Sequence, residues 1–276
     1  MVSVYVTHYN KVELIPLQYE SIKNFCTDDV RYIVINNGID AATSLEISRI
    51  SKELNLEEIV IRDNNKIKMT AMHHKEALQY CYDNYISKDD ADVRVVMDCD
   101  IVAFNTFSFK NFIADADIAG IQLGVEPSLY IASFISLYSK NVSFDDFNLG
   151  SHIEFDSGAA TEYLVKKHKT KWLNHTAPMR AEEGLYVFKN AEVDALQYDQ
   201  SFGIQFIEGC LLHFYRGTGW DNGDVNYLER KLKFIESFLK SPDIYNANLD
   251  DNVQYVSAHM DQWLFKDKYK LYKTIQ

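Results

Sequence analysis

Over roughly the first hundred residues, short β-branched runs alternate with longer segments of helical periodicity, which narrows the accessible folds sharply. The pattern predicts strands over 2–7, 31–35, 58–61 and 93–97. It predicts helices over 14–25 and 45–54, and a third capped by Thr70 and running to about 85. Strands joined in this way form a mostly parallel sheet with helices on both faces, an α/β architecture. Each strand runs into polar residues: Thr7-His8-Tyr9-Asn10, Asn36-Asn37-Gly38, Asp63-Asn64-Asn65 and Asp98. In a parallel sheet such tips gather along one edge, where α/β proteins bind their ligands.

The fourth strand carries the strongest chemical signal. Val93-Arg94-Val95-Val96-Met97-Asp98-Cys99-Asp100-Ile101-Val102 reads as one apolar strand interrupted by two aspartates. Alternation along a strand puts Asp98 and Asp100 on one face, roughly 6.6–6.8 Å apart, with Cys99 on the opposite, buried face. Two carboxylates so placed repel each other, and a hard divalent cation such as Mg²⁺ or Mn²⁺ relieves the repulsion. Such ions keep part of their hydration and take further ligands from substrate phosphates, so the expectation is a metal-diphosphate site. A solvated acidic loop is the plain alternative.

Beyond residue 105 the pattern is less regular. A helix is expected over 107–114, strands over 118–123 and 129–138, and a helix over 159–168 introduced by Phe155-Asp156-Ser157-Gly158. Further strands are expected over 185–188 and 206–214. Val225, Leu228, Leu232, Ile235 and Leu239 recur at helical spacing, Pro242 closes that helix, and a last helix is expected over 253–266.

Bulk properties exclude several classes. The net charge of −12 argues against binding to nucleic-acid phosphates. No apolar run is long enough to span a membrane, and the first residues read as a strand rather than a leader. Cys26, Cys81, Cys99 and Cys210 lack metal-ligand spacing and are expected to be reduced thiols in a cytoplasmic setting. Asn141-Val142-Ser143 fits a glycosylation acceptor that would be idle there. Adjacent His73 and His74 cannot share one helix face, which argues against a zinc pair.

A parallel sheet with Asp-x-Asp closing its fourth strand resembles the GT-A (Rossmann-like) fold of nucleotide-sugar glycosyltransferases. A second segment supports this, Leu211-Leu212-His213-Phe214-Tyr215-Arg216-Gly217-Thr218-Gly219-Trp220. In many such enzymes a histidine after the last core strand completes the metal site and a glycine-containing loop lies beside the diphosphate. Here His213, Gly217 and Gly219 stand in those places, and Tyr227-Leu228-Glu229-Arg230 looks like the Tyr-x-x-Arg of some bacterial and viral members. The resemblance covers roughly 1–222, with a nucleotide-sugar-binding half over 1–105, an acceptor half over 106–222 and a helical extension over 223–276. The lysine and proline of the Gly-x-x-Lys-Pro-Trp segment of glycogenin-like retaining enzymes are missing, and Arg216 can neutralise the diphosphate instead.

The resemblance implies a metal-dependent transferase using Mn²⁺ or Mg²⁺ and a nucleotide-sugar donor, with UDP-sugars favoured. The acceptor would be a glycan, a lipid-linked sugar or a protein. Asp100 and His213 are expected to ligate the metal, and Asp98 to join them or to contact the ribose or a metal-bound water. Thr7, His8, Tyr9, Asn10, Asn37 and Asp63 are expected around the nucleotide, with Tyr9 stacking on the base. His73, His74 and Lys75 would approach the diphosphate or donor sugar. Asp156 is the leading candidate for the base, and equally a helix N-cap. Glu183 is the next candidate, with Glu182 and Glu208 beside it. Tyr130 and Trp220 could form a sugar platform or pack in the core. The aromatic and lysine-rich run over 263–273 suits either a solvated helix or peripheral contact with an acidic membrane. Two other readings stay open, a non-catalytic nucleotide-sugar-binding module and a sugar-phosphate nucleotidyltransferase. The latter usually has a glycine-rich loop after its first strand, absent from Thr7-His8-Tyr9-Asn10-Lys11.

Overall fold

The computed structural model describes residues 1–61, 70–124, 127–145, 147–149, 158–175, 179–180 and 203–215. Two compact units are resolved by their internal packing. The first comprises Met1–Tyr19, Cys26–Cys99 and Phe107–Leu173; the second comprises Glu20–Phe25, Asp100–Thr106 and the described residues from Asn174 onward.

The first unit is built on β1 (Val2–His8), α1 (Leu14–Phe25, whose last turn and a half belongs to the second unit), β2 (Val30–Asn36), α2 (Ala41–Glu53), β3 (Glu57–Val60), α3 (Thr70–Asn84) and β4 (Val93–Asp98). The chain then passes through β5 (Ile101–Ala103) of the second unit and returns as α4 (Phe109–Ile113), β6 (Ile118–Leu123), β7 (Tyr130–Ser139), α5 (Glu162–Lys167) and β8 (Thr170–Trp172). Its sheet has seven strands in the order β3-β2-β1-β4-β7-β6-β8. β1, β2, β3 and β4 are mutually parallel, and β7 alone runs against its neighbours β4 and β6. This is the mostly parallel sheet that the alternation predicts.

Strand periodicity explains the layers. Tyr32, Asn36 and His8 lie on one face, where Tyr32 donates to Gln18 of α1 and Asn36 donates to the Ser44 carbonyl of α2. Tyr5, Ile33, Ile35 and Val96 lie on the other, packed with Leu78, Cys81 and Tyr82 of α3. Helices α1 and α2 therefore cover one face and α3 the opposite one. The reversal falls between β1 and β4, where the order 3-2-1 turns back to 4, the topological switch point of a doubly wound sheet. Tyr82, Tyr138, Phe144 and Phe147 extend the α3-side core with ring centroids 4.8–6.0 Å apart.

The second unit has a four-stranded sheet ordered β5-β11-β10-β9, with β9 (Met179–Arg180), β10 (Gly203–Ile207) and β11 (Leu211–Tyr215). Two expectations are corrected here. The segment 206–214 is not one strand but the inner part of a hairpin, in which Glu208 and Gly209 adopt φ of 50° and 64°. Positive φ at two consecutive turn residues suits the right-handed twist of the flanking strands. The run through Asp98 and Asp100 is likewise broken. Residues 99–100 form a turn, and Ile101–Ala103 pairs with β11 instead of continuing β4. Strand alternation therefore does not set the relation of the two aspartates.

Smaller differences are local. Helix α2 begins four residues before the expected start because the Asp40 carboxylate accepts from Thr43 N at 2.7 Å. Helix α4 is shorter than expected and is capped by Ser108, which accepts from Asn111 N. The helix expected over 159–168 opens as a 3₁₀ turn at Ala159–Thr161. The expected elements over 185–188, 225–239 and 253–266 lie outside the described residues. No helix among the described residues is long and apolar enough to cross a membrane.

Candidate functional site

In the first unit, the carboxyl ends of β1, β2 and β4 are in register. Thr7 stands opposite Asp98, and His8 opposite Asn36. The expected gathering of strand tips at one edge is thus present for these three strands, at the switch point. The Thr7 hydroxyl is buried and meets no hydrogen-bond partner among the described residues. Asp98 is half-buried, and its Oδ1 lies 3.5 Å from Nε2 of His74 on α3. Of the histidine pair expected near the donor, His74 is the one brought to the acidic motif; the side chain of His73 lies outside the described residues.

His8 is enclosed on the α1 side of the sheet. Its Nε2 lies 3.5 Å from the Tyr32 hydroxyl, which donates to Gln18 Oε1 at 2.6 Å. Gln18 Nε2 in turn donates to the Asp98 carbonyl at 2.8 Å. Burial pushes the His8 imidazole down to about 3, so the ring is neutral at physiological pH. The ring is fully buried, within hydrogen-bonding reach of this internal chain. Asn36 is similarly occupied, donating to Ser44 O, Ser48 Oγ and Glu58 Oε1. Asn37 is buried beside it, with its N–H bonded to the His8 carbonyl at 3.0 Å. Tyr9 and Asn10 are half-buried in the following bend, and Lys75 is buried on α3.

In the second unit, Asp100 and His213 come together although they stand 113 positions apart in the chain. Phe214 N donates to the Asp100 carbonyl at 2.8 Å, and β5 pairs antiparallel with β11 immediately beyond. His213 Nε2 lies 3.5 Å from Asp100 Oδ1, with the two side chains 4% and 8% exposed. Burial lowers the His213 imidazole to about 3, so a neutral ring faces the carboxylate. A neutral imidazole nitrogen and a carboxylate oxygen are both electron-pair donors and suit a divalent cation. Among the described residues no group of three or more His, Cys, Asp or Glu side chains is arranged to hold a metal. Remaining ligands would then come from water or substrate oxygens, the usual habit of Mg²⁺.

Two residues that the sequence reading passed over complete this cluster. Gln205, directly opposite His213 in the hairpin register, places Oε1 3.0 Å from His213 Nδ1 and Nε2 3.0 Å from His175 Nδ1. A lone amide at a buried position of an apolar strand, Ile204-Gln205-Phe206-Ile207, was the available signal. Glu208, weighed as a base, instead accepts from Asn174 N and Nδ2 at the hairpin turn. Asp63, Asp156, Glu182, Glu183, Arg216, Gly217, Gly219 and Trp220 lie outside the described residues. Tyr130 is half-buried at the start of β7.

No family model and no curated protein matches the sequence. Solved structures do. An active-site mutant of LgtC is 10% identical with a TM-score of 0.50, covering 85% of this chain and 95% of that one. The galactosyltransferase LgtC in complex with donor and acceptor sugar analogues matches over the same shares at 12% identity and a TM-score of 0.48. TarS of S. aureus is 15% identical with a TM-score of 0.37, over 62% of this chain and 35% of TarS. The likeness at a TM-score of 0.50, with the strand order above, shows a GT-A-like fold.

Proposed function

We propose that this chain is a glycosyltransferase that moves a sugar from a nucleoside-diphosphate sugar, with UDP as the nucleotide, to a glycan, lipid-linked or protein acceptor. The observation that supports it is the meeting of Asp100 and a neutral, buried His213 on a GT-A-like fold. A Mn²⁺ or Mg²⁺ ion, when bound, supplies charge neutralisation for the departing diphosphate. Asp100 and His213 would hold it, and Asp98 of the first unit, whose carboxylate lies 3.5 Å from His74, is assigned to the ribose. Thr7, Tyr9, Asn10, Asn37 and Asp63 receive the nucleotide, and Arg216 and Gly217 neutralise and approach the diphosphate. Asp156 accepts the proton of the acceptor hydroxyl, with Glu183 as the alternative.

A thermal-shift panel of UDP-, GDP-, CMP- and dTDP-sugars, each with Mn²⁺ and with EDTA, tests the reading. One donor is expected to raise the melting temperature only with Mn²⁺, because a ligand of the native state stabilises it by mass action. Asp100→Ala should abolish that shift and slow release of the nucleoside diphosphate about a hundred- to a thousand-fold. A Mn²⁺-dependent shift without turnover on any acceptor would favour a binding module, and no shift with any donor would remove the transferase reading.

A further inference from the structure

Gln205 is a buried polar residue that the activity proposed above leaves without a task. Its amide spans two imidazoles in the second unit, at 3.0 Å on each side. Amide chemistry makes the span directional. The amide oxygen only accepts, so His213 Nδ1 must carry a proton to bond it. The amide nitrogen only donates, so His175 Nδ1 must be bare. Both conditions are met when the two rings are neutral.

A neutral imidazole carries one proton. With that proton on Nδ1, His213 Nε2 presents a lone pair, and Nε2 is the atom 3.5 Å from Asp100 Oδ1. The opposite tautomer would aim an N–H at the carboxylate and close the pair on itself. We infer that Gln205, with its amide orientation set by His175, is a positioning residue that holds His213 in the Nδ1–H tautomer with Nε2 bare toward Asp100. The consequence for metal affinity rests on the proposed metal site, whereas the tautomer itself does not. Partners that fix the tautomer of a ligating histidine typically change metal affinity 10–100-fold.

The full chain labelled with ¹⁵N-histidine is examined first without metal, by long-range ¹H–¹⁵N correlation, which distinguishes the two tautomers. Wild type is expected to show His213 as Nδ1–H. An Nε2–H signal for His213 overturns the inference with no variant needed. Gln205→Leu is expected to lose the single tautomer and to weaken Mn²⁺ binding about 10–100-fold, measured by electron paramagnetic resonance. Gln205→Glu keeps an acceptor for His213 Nδ1–H but loses the donor to His175, and is expected to keep His213 Nδ1 protonated. An unchanged His213 tautomer in Gln205→Leu overturns the role of Gln205. Should wild type show Nδ1–H, lost in Gln205→Leu, yet bind no Mn²⁺, the inference stands and the metal reading fails.

Discussion

Asp89 shows how a buried carboxylate is kept ionised away from the site. It accepts from the Tyr5 hydroxyl and from Arg31 Nη2, each at 2.7 Å, and from Ala91 N at 3.0 Å. Burial alone would raise its carboxyl, but these donors and the Arg31 charge hold it below its ordinary value of 3.8. Burial, and after it the same carboxylate, pushes the Tyr5 hydroxyl up. A depressed carboxyl stabilises the fold above its unfolded value and loses that contribution as pH falls through the folded one. The resistance of wild type to denaturant should therefore fall as pH drops below about 3.8. Asp89→Asn should cost about 2 kcal/mol at neutral pH and lose less over the acid range. Equal acid losses in the two proteins would show that Asp89 does not contribute to that dependence.

The 3₁₀ turn before α5 packs closely on β7. Thr161 Oγ1 accepts from Ile131 N at 2.7 Å and donates to Gly158 O at 2.7 Å, drawing the turn onto the strand. A Cβ at Gly158 would lie 2.2 Å from Ile131 O and 2.8 Å from Ser133 N, against backbone that cannot give way cheaply. Gly158→Ala is expected to destabilise the protein by about 1–3 kcal/mol, read by urea unfolding. The α2-side equivalent, Asp40→Ala, removes an N-cap and should cost about 1 kcal/mol. A neutral result at Gly158 would mean that the turn stands off β7.

Across the whole chain, 40 acidic residues outnumber 28 basic ones. That field opposes an anionic nucleotide until a cation or local arginine offsets it. Screening length shrinks from about 30 Å to about 8 Å between roughly 0.01 M and 0.15 M salt. Affinity for UDP in EDTA, measured by calorimetry, should therefore strengthen as salt is raised over that range. Saturating Mn²⁺ should flatten the dependence. Weakening with salt instead would show that a basic surface governs donor approach.

The first four strands, three helices and the edge they share were legible because apolar periodicity is a property of neighbouring residues. The α/β class followed from their order, and the pairing of Thr7 with Asp98 confirms the shared edge. What escaped the sequence involves partners far along the chain. Every residue from Val93 to Val102 except the aspartates suits one strand, and the break after Asp98 reflects pairing of Ile101–Ala103 with β11. Phe206–Phe214 reads as one apolar run for the same reason, with only Glu208-Gly209 to mark the hairpin. His213 was singled out through a resemblance, whereas Gln205 became visible only once the hairpin register placed it opposite. Local periodicity is written into each short window of sequence; strand register between distant segments depends on packing and hydrogen bonding that no such window contains.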